Sequence, residues 1–153
     1  MKLYSREKLK NIVAKLKKNG KKIVFTNGCF DLIHAGHIKV FERAKALGDV
    51  LIVGLNSDSS VKRLKGPNRP LVNEKSRAYV LSALEPVDYV TLFSEDTPAQ
   101  LIAQLEPDIL VKGGDYKINE IVGRDDVKKV VRVPLLKGRS TTELIKKIVK
   151  LYG

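Results

Sequence analysis

The feature that most constrains the fold of this chain is a regular alternation of short apolar runs with amphipathic helical patterns. The run over residues 50–55, VLIVGL, is apolar without interruption, which is typical of a strand buried on both faces. Strands separated by helices pair in parallel through right-handed crossovers. The pattern therefore predicts an α/β protein built on a parallel sheet.

We expect a Rossmann-like three-layer sandwich with a five-stranded parallel sheet. The predicted strands cover Ile23–Thr26, Val50–Leu55, Val87–Phe93, Asp108–Val111 and Val130–Leu135. The predicted helices cover residues 5–19, 37–47, 58–64 and 74–84, a segment opening at Thr97-Pro98, and residues 140–152. No linker or repeat interrupts them, so one domain is expected over 1–153, with an N-terminal helix at 5–19 and a core at 22–153.

Composition limits the kinds of partner. The chain has 153 residues, of which 43% are hydrophobic, and a net charge of +12. The lysines are spread over helix faces without interleaved aromatic residues, so we expect solvated faces and neither a nucleic acid nor a membrane partner. A single cysteine, Cys29, and the lack of a signal peptide predict a cytoplasmic protein, in which Cys29 is a small buried side chain and not a nucleophile.

The two histidines of the chain, His34 and His37, lie where the first predicted strand passes into a helix. Backbone N–H groups and the helix dipole favour phosphate at such a junction, and imidazoles there can donate to a phosphate whose charge changes during a reaction. Two alternatives remain open, a structural histidine pair and a transition-metal site that includes Asp31. No third histidine or cysteine-rich tract supports the metal site, so none is predicted.

Four segments follow predicted strand ends and should gather at the carboxyl edge of the sheet. They are the histidine loop, residues 56–58 with the basic stretch 62–65, residues 112–116, and residues 138–143. The last opens a helix with Ser140, Thr141 and Thr142, which could hold a polyphosphate or simply cap the helix. Walker and dinucleotide-binding glycine motifs are absent from the sequence.

These motifs together carry a resemblance to a known family. Gly28-Cys29-Phe30-Asp31, His34-Ala35-Gly36-His37 and Arg139-Ser140-Thr141-Thr142 resemble the cytidylyltransferase-like nucleotidyltransferase superfamily. Within it, segments such as 63–66, 69–70, 95–98 and 111–116 are similar to the heptose 1-phosphate adenylyltransferases, over nearly the whole sequence from about residue 5.

The resemblance implies transfer of AMP from ATP to a heptose 1-phosphate, with ADP-heptose and pyrophosphate as products. It implies Mg²⁺ held largely by the triphosphate oxygens, a homo-oligomer, and a heptose kinase on a separate chain. The catalytic residues by this match are His34, His37 and Lys65. The nucleotide-binding residues are Thr26, Asn27, Gly28, Phe30, Asp31, Gly36, Lys112, Gly113, Arg139, Ser140, Thr141 and Thr142. The substrate-binding residues are Asn56, Asp58, Arg77 and Asp115.

One departure from the family pattern concerns the loop before the last helix. Cytidylyltransferases of polyol phosphates carry Arg-Thr-x-Gly there, whereas this chain has Leu135-Leu136-Lys137-Gly138, which argues against the CTP-using branch. Sister transferases acting on glycerol phosphate, pantetheine phosphate or nicotinamide mononucleotide stay open, as does a basic nucleotide- or nucleic-acid-binding module without turnover. The basic stretch 62–69 is expected to be an exposed, mobile loop that closes over the phosphates, or else a solvated surface loop.

Overall fold

The computed structural model describes residues 1–114, 117–134 and 140–153. Within these ranges the strands are β1 (Ile23–Gly28), β2 (Val50–Asn56), β3 (Tyr89–Phe93), β4 (Ile109–Gly113) and β5 (Lys129–Val133). The helices are α1 (Arg6–Lys18), α2 (Ala35–Lys45), α3 (Asp58–Lys65), α4 (Glu74–Ala83), α5 (Ala99–Leu105) and α6 (Thr141–Tyr152). Two short 3₁₀ turns lie at Ile118–Glu120 and Arg124–Asp126.

The five strands form one sheet in the order β3-β2-β1-β4-β5, and every pair in it is parallel. Because the chain moves outward in one direction from β1 to β3 and in the other from β4 to β5, the order reverses between β1 and β4. Such a reversal opens a crevice outside the carboxyl ends of the strands. The sheet therefore places the ends of β1 and β4 at the point where a ligand is expected.

Helices cover both faces of the sheet. On one face, α2 and α4 contribute Val40, Phe41 and Leu81 to an apolar cluster; on the other, Leu9 of α1 and Ile102 of α5 do the same. All seven residues of β2 are buried, as expected for a central strand covered on both sides. The predicted α/β class and three-layer, Rossmann-like sandwich are confirmed.

The α1/α5 face is packed so closely that one strand position has no room for a side chain. A Cβ at Gly54 of β2 would lie 2.7 Å from Cζ of Phe25 and 3.2 Å from a methyl carbon of Leu101. The Phe25 ring, fully buried, therefore occupies the space beside Gly54.

The basic stretch 62–69 differs from its prediction. Residues 62–65 form the last turn of α3, so only the part beyond Lys65 is a loop. Arg63 anchors this turn, since its Nε donates to Asp96 at 2.7 Å. The helix ends one residue past the expected end at Leu64, and the ion pair joins its last turn to the segment after β3. Among the described residues, no helix is both long and apolar enough to cross a membrane.

Candidate active site

The histidine loop joins β1 to α2 and builds its own helix cap. His34 is the N-cap of α2, and its Nδ1 accepts a hydrogen bond from the Gly36 backbone N–H at 3.1 Å. His37, three residues on, accepts from the His34 backbone N–H through its own Nδ1 at 3.4 Å. The two rings stack with centroids 3.9 Å apart. This reciprocal arrangement is a capping box in which imidazoles replace the usual hydroxyl and carboxylate.

The cap decides the protonation state of His37. Burial lowers its pKa, and the neighbouring His34 lowers it further, to about 4. Because Nδ1 accepts from a backbone N–H, the neutral ring carries its proton on Nε2. At neutral pH, His37 is therefore an uncharged imidazole that borders the cavity and keeps Nε2–H as a hydrogen-bond donor.

Phe30 packs against His37 and has a strained backbone conformation. Its φ is +43°, which is uncommon for any residue other than glycine, and its ring is 5.4 Å from the His37 ring and 5.1 Å from the Phe41 ring. A Cβ at Gly28 would lie 2.9 Å from Cζ of Phe30, so Gly28 leaves room for this ring. Such strain persists where the surrounding packing fixes it, commonly at functional sites.

The Asp31 carboxylate is occupied by hydrogen bonds within the protein. Its carboxylate accepts from the backbone N–H groups of Leu71 and Val72, each at 2.9 Å, and from Arg69 Nε at 2.7 Å. Burial alone would raise the pKa of Asp31, but these hydrogen bonds outweigh burial and hold it below its ordinary value. Asp31 borders the cavity as an ionised anchor for the segment that follows α3.

The opposite wall is formed at the point where the strand order reverses. Lys112 of β4 donates from Nζ to Asn27 Oδ1 of β1 at 2.7 Å. Burial lowers the pKa of Lys112 to about 8, so it keeps most of its charge at pH 7. A partly desolvated ammonium at this place is suited to an anionic ligand.

Among the residues predicted to bind the acceptor sugar phosphate, some border the cavity and others do not. Asn56 borders the cavity, where its amide donates to Ser60 Oγ at 2.9 Å. Arg77 lies beneath the cavity with a fully buried side chain, paired with Asp58 at 2.8 Å and donating to the Val72 and Cys29 carbonyls. Neither Arg77 nor Asp58 reaches the cavity wall, and their contacts favour a supporting role.

The start of α6 completes the wall. Ser140 caps this helix by accepting from the Glu143 N–H at 3.1 Å, and Thr141 Oγ1 donates to the Leu32 carbonyl at 3.3 Å. The ordinary capping interpretation of Ser140 therefore fits the structure, and the helix start still faces the cavity together with Thr142. The predicted residues Arg139 and Asp115 lie outside the described residues.

These elements enclose a cavity of about 530 Å³ at the carboxyl edge of the sheet. It brings together most of the predicted residues: Thr26, Asn27, Gly28, Phe30, Asp31, His34, Gly36, His37, Asn56, Lys65, Lys112, Gly113, Ser140, Thr141 and Thr142. The site prediction missed further wall residues, among them Arg69, Pro98 and Ile121. Arg69 could have been identified from the sequence, since it lies in the basic stretch 62–69. Ile121 could not, because it follows a 3₁₀ turn that no sequence motif indicates. Over the described ranges, no group of three potential metal ligands occurs.

Comparisons with known proteins agree with this geometry. A family model described as cytidylyltransferase-like matches residues 25–147. The bifunctional protein HldE of Wolinella succinogenes is 56% identical over 146 residues, which cover 95% of this chain and 31% of the relative. HldE of Geobacter metallireducens is 53% identical over 156 residues, covering 99% of this chain and 32% of the relative. The chain thus spans about a third of the length of these curated relatives.

A solved structure is also similar. The lipopolysaccharide core biosynthesis protein from Thermoplasma volcanium GSS1 has a TM-score of 0.67 and 30% identity to this chain. The match covers 77% of this chain and all of that one. The prediction of a single domain over 1–153 stays a prediction.

Proposed function

Because this chain belongs to the cytidylyltransferase-like family, we propose that it is a nucleotidyltransferase that transfers AMP from ATP to a heptose 1-phosphate. The observation that carries the proposal is the histidine pair at the start of α2. Its two imidazoles are stacked, oriented through Nδ1 by backbone N–H groups, and placed on a cavity large enough for a nucleotide.

The chemistry needs positioning and charge stabilisation more than a covalent partner. An oxygen of the sugar phosphate attacks the α-phosphorus of ATP, and the bond from that phosphorus to the bridging oxygen of the β-phosphate breaks. Pyrophosphate leaves with the electron pair of that bond, and ADP-heptose is formed. The acceptor phosphate is already ionised at neutral pH, so no strong general base is required.

The histidines act on the α-phosphate. A neutral imidazole donates from Nε2 without adding a full charge, so it binds the developing negative charge of the crowded transition state more strongly than the ground state. Because the backbone fixes the ring of His37 through Nδ1, this donor needs no reorientation when the reaction begins.

The triphosphate is assigned to the opposite side of the cavity. Lys112 supplies a partly buried positive charge there, and the start of α6 supplies hydroxyl groups and the favourable end of a helix dipole. Lys65, an exposed residue at the end of α3 that borders the cavity, adds a further positive charge. Direct nucleotide contacts of Asn27 and Thr141 fit the same arrangement.

Mg²⁺ is proposed to enter with ATP. The carboxylates among the described residues that border the cavity each pair with a cation of the protein: Asp31 with Arg69, Asp96 with Arg63 and Glu120 with Lys117. Oxygens of the triphosphate are therefore the main ligands for this hard cation, which would neutralise phosphate charge when bound.

The proposal that the sugar is a heptose is based on similarity to other proteins. The motifs 63–66 and 111–114 resemble heptose 1-phosphate adenylyltransferases, and a similar solved structure is titled a lipopolysaccharide core biosynthesis protein. ATP as substrate fits a cytoplasmic enzyme, and a homo-oligomer is part of the same proposal. The curated relatives are named bifunctional and are about three times as long as this chain. The prediction of a kinase on a separate chain stays a prediction.

A screen of ATP and CTP against a panel of sugar 1-phosphates, polyol phosphates and pantetheine phosphate tests the proposal, with pyrophosphate release as the readout. We expect release only with ATP and a heptose 1-phosphate. The double variant His34→Ala, His37→Ala is the matched control for contaminating activity. Faster turnover with another acceptor would assign the chain to a sister transferase, and salt-dependent DNA binding without turnover would favour the non-catalytic alternative.

A further inference from the structure

The segment after α3 is held against the floor of the cavity by one buried carboxylate. The Asp31 side chain is 1% exposed, and it accepts from two backbone N–H groups, those of Leu71 and Val72, and from Arg69 Nε. These three donors come from one short stretch of chain. Asp31 therefore fixes where residues 69–72 lie and how the Arg69 guanidinium is turned.

Arg69 uses only one corner of its guanidinium in this contact. Nε is engaged, whereas Nη1 and Nη2 make no hydrogen bond to any residue in 1–114, 117–134 or 140–153. The side chain is 19% exposed and borders the cavity. Nη1 and Nη2 are therefore two parallel donors without a partner among these residues, in the geometry that matches two oxygens of a phosphate.

The surroundings favour an anion at this place. Cys29, Lys65 and Arg69 all border the cavity, and Arg77 lies next to them, since it donates to the Cys29 carbonyl. Arg77 is fully engaged by Asp58 and two backbone carbonyls. Lys65 makes no ion pair with a described residue, and Arg69 makes one through Nε only. The described cations around Cys29 therefore outnumber the carboxylates that pair with them.

We propose that Arg69 is a phosphate-binding residue of this cavity and that Asp31 is the residue that positions it. The ligand is a phosphate group of one of the two substrates, and the inference rests on the proposed function in taking both substrates to be phosphorylated. A guanidinium anchored through Nε and presenting both Nη atoms binds two phosphate oxygens at once. This assigns Asp31 to orienting a ligand-binding side chain and not to contact with nucleotide or metal.

The test compares Arg69→Gln with the wild type by calorimetric titration of ATP and, separately, of inorganic phosphate as a probe for the acceptor phosphate. Arg43→Gln is the matched control, since it removes the same charge from an exposed position in the last turn of α2. We expect Arg69→Gln to weaken one of the two ligands by about ten- to hundredfold, and Arg43→Gln to leave both unchanged. The ligand that loses affinity identifies which substrate phosphate Arg69 binds.

Two further variants separate binding from loop support. Arg69→Lys keeps the positive charge but loses the two parallel N–H donors of the guanidinium. Its affinity for the affected ligand should therefore exceed that of Arg69→Gln by less than tenfold. Asp31→Asn should weaken the same ligand by a smaller factor, with KM changed more than kcat. Unchanged affinity for both ligands in Arg69→Gln would overturn the proposal. Equal losses for both ligands, matched by Asp31→Asn, would overturn it as well, because they would mean that the segment 69–72 has collapsed.

The outcome is independent of turnover. If the wild type releases no pyrophosphate with any sugar phosphate, the proposed function fails, but the titrations with ATP and inorganic phosphate still decide the role of Arg69.

Discussion

Replacing His37 by glutamine tests whether the fold holds this imidazole neutral. Glutamine at the third helical position can accept from the N-cap backbone N–H, as Nδ1 of His37 does from His34, so the variant keeps the cap and removes the titration. The pKa of His37 is lowered from 6.5 to about 4 in the folded protein. Between these values the unfolded chain binds a proton that the folded chain does not, so acid favours unfolding.

The magnitude follows from the two pKa values. At pH 7.5, neither state is protonated at His37 and the site contributes no pH-dependent difference. At pH 4.5, the site is almost fully protonated in the unfolded chain but only about a quarter protonated in the folded one. The wild type should therefore lose about 2–3 kcal/mol of unfolding free energy from this site as the pH falls between these values.

Urea denaturation of both proteins at pH 7.5 and pH 4.5 measures the effect. Titration of carboxylates changes both proteins alike and cancels in the difference between them. The stability advantage of the wild type over His37→Gln should shrink by about 2–3 kcal/mol at the lower pH. A difference that does not change with pH would show that His37 is not held neutral by burial, and would refute the argument for an uncharged donor.

Three other outcomes are expected. Alanine in place of either His34 or His37 should lower kcat by on the order of a hundredfold or more while ATP affinity changes little, as measured by turnover and titration; near-normal turnover would contradict the assigned role. Thr141→Ala should weaken binding of a non-hydrolysable ATP analogue more than of AMP, whereas Thr141→Ser should not; equal losses for both ligands would mean that Thr141 only supports the helix start. The affinity of the wild type for ATP should fall as the pH rises through about 8, where Lys112 loses its charge, and this dependence should be absent in Lys112→Met.

The sheet could be predicted from the sequence because its strands carry a strong local signal. Parallel strands buried on both faces are continuous apolar runs, so 23–26 and 50–55 are evident from the residues alone. The motif residues could also be gathered correctly, because all parallel strands end at one edge and the loops after them must meet there.

The sequence could not predict which residues far apart in the chain form hydrogen bonds and ion pairs with one another. Asp31 and Arg69 are 38 positions apart, and nothing local indicates that the carboxylate turns inward to hold the arginine. Arg77, which the resemblance assigns to acceptor binding, is 1% exposed and donates to Asp58 within the protein, and no local pattern in the sequence indicates these contacts. The helix predicted over 58–64 ends at Lys65 in the structure, so the stretch 62–69, expected to be a loop, begins with a helical turn in which Arg63 pairs with Asp96.

The contact between Phe25 and Gly54 couples the side-chain sizes that two neighbouring strands can accept. With 2.7 Å between the ring and the place where a Cβ would be, neither site can change size alone: alanine at 54 collides with the ring, and a smaller residue at 25 leaves a void. We therefore expect a paired exchange, in which volume lost on one strand is regained on the other, to cost less stability than either single change.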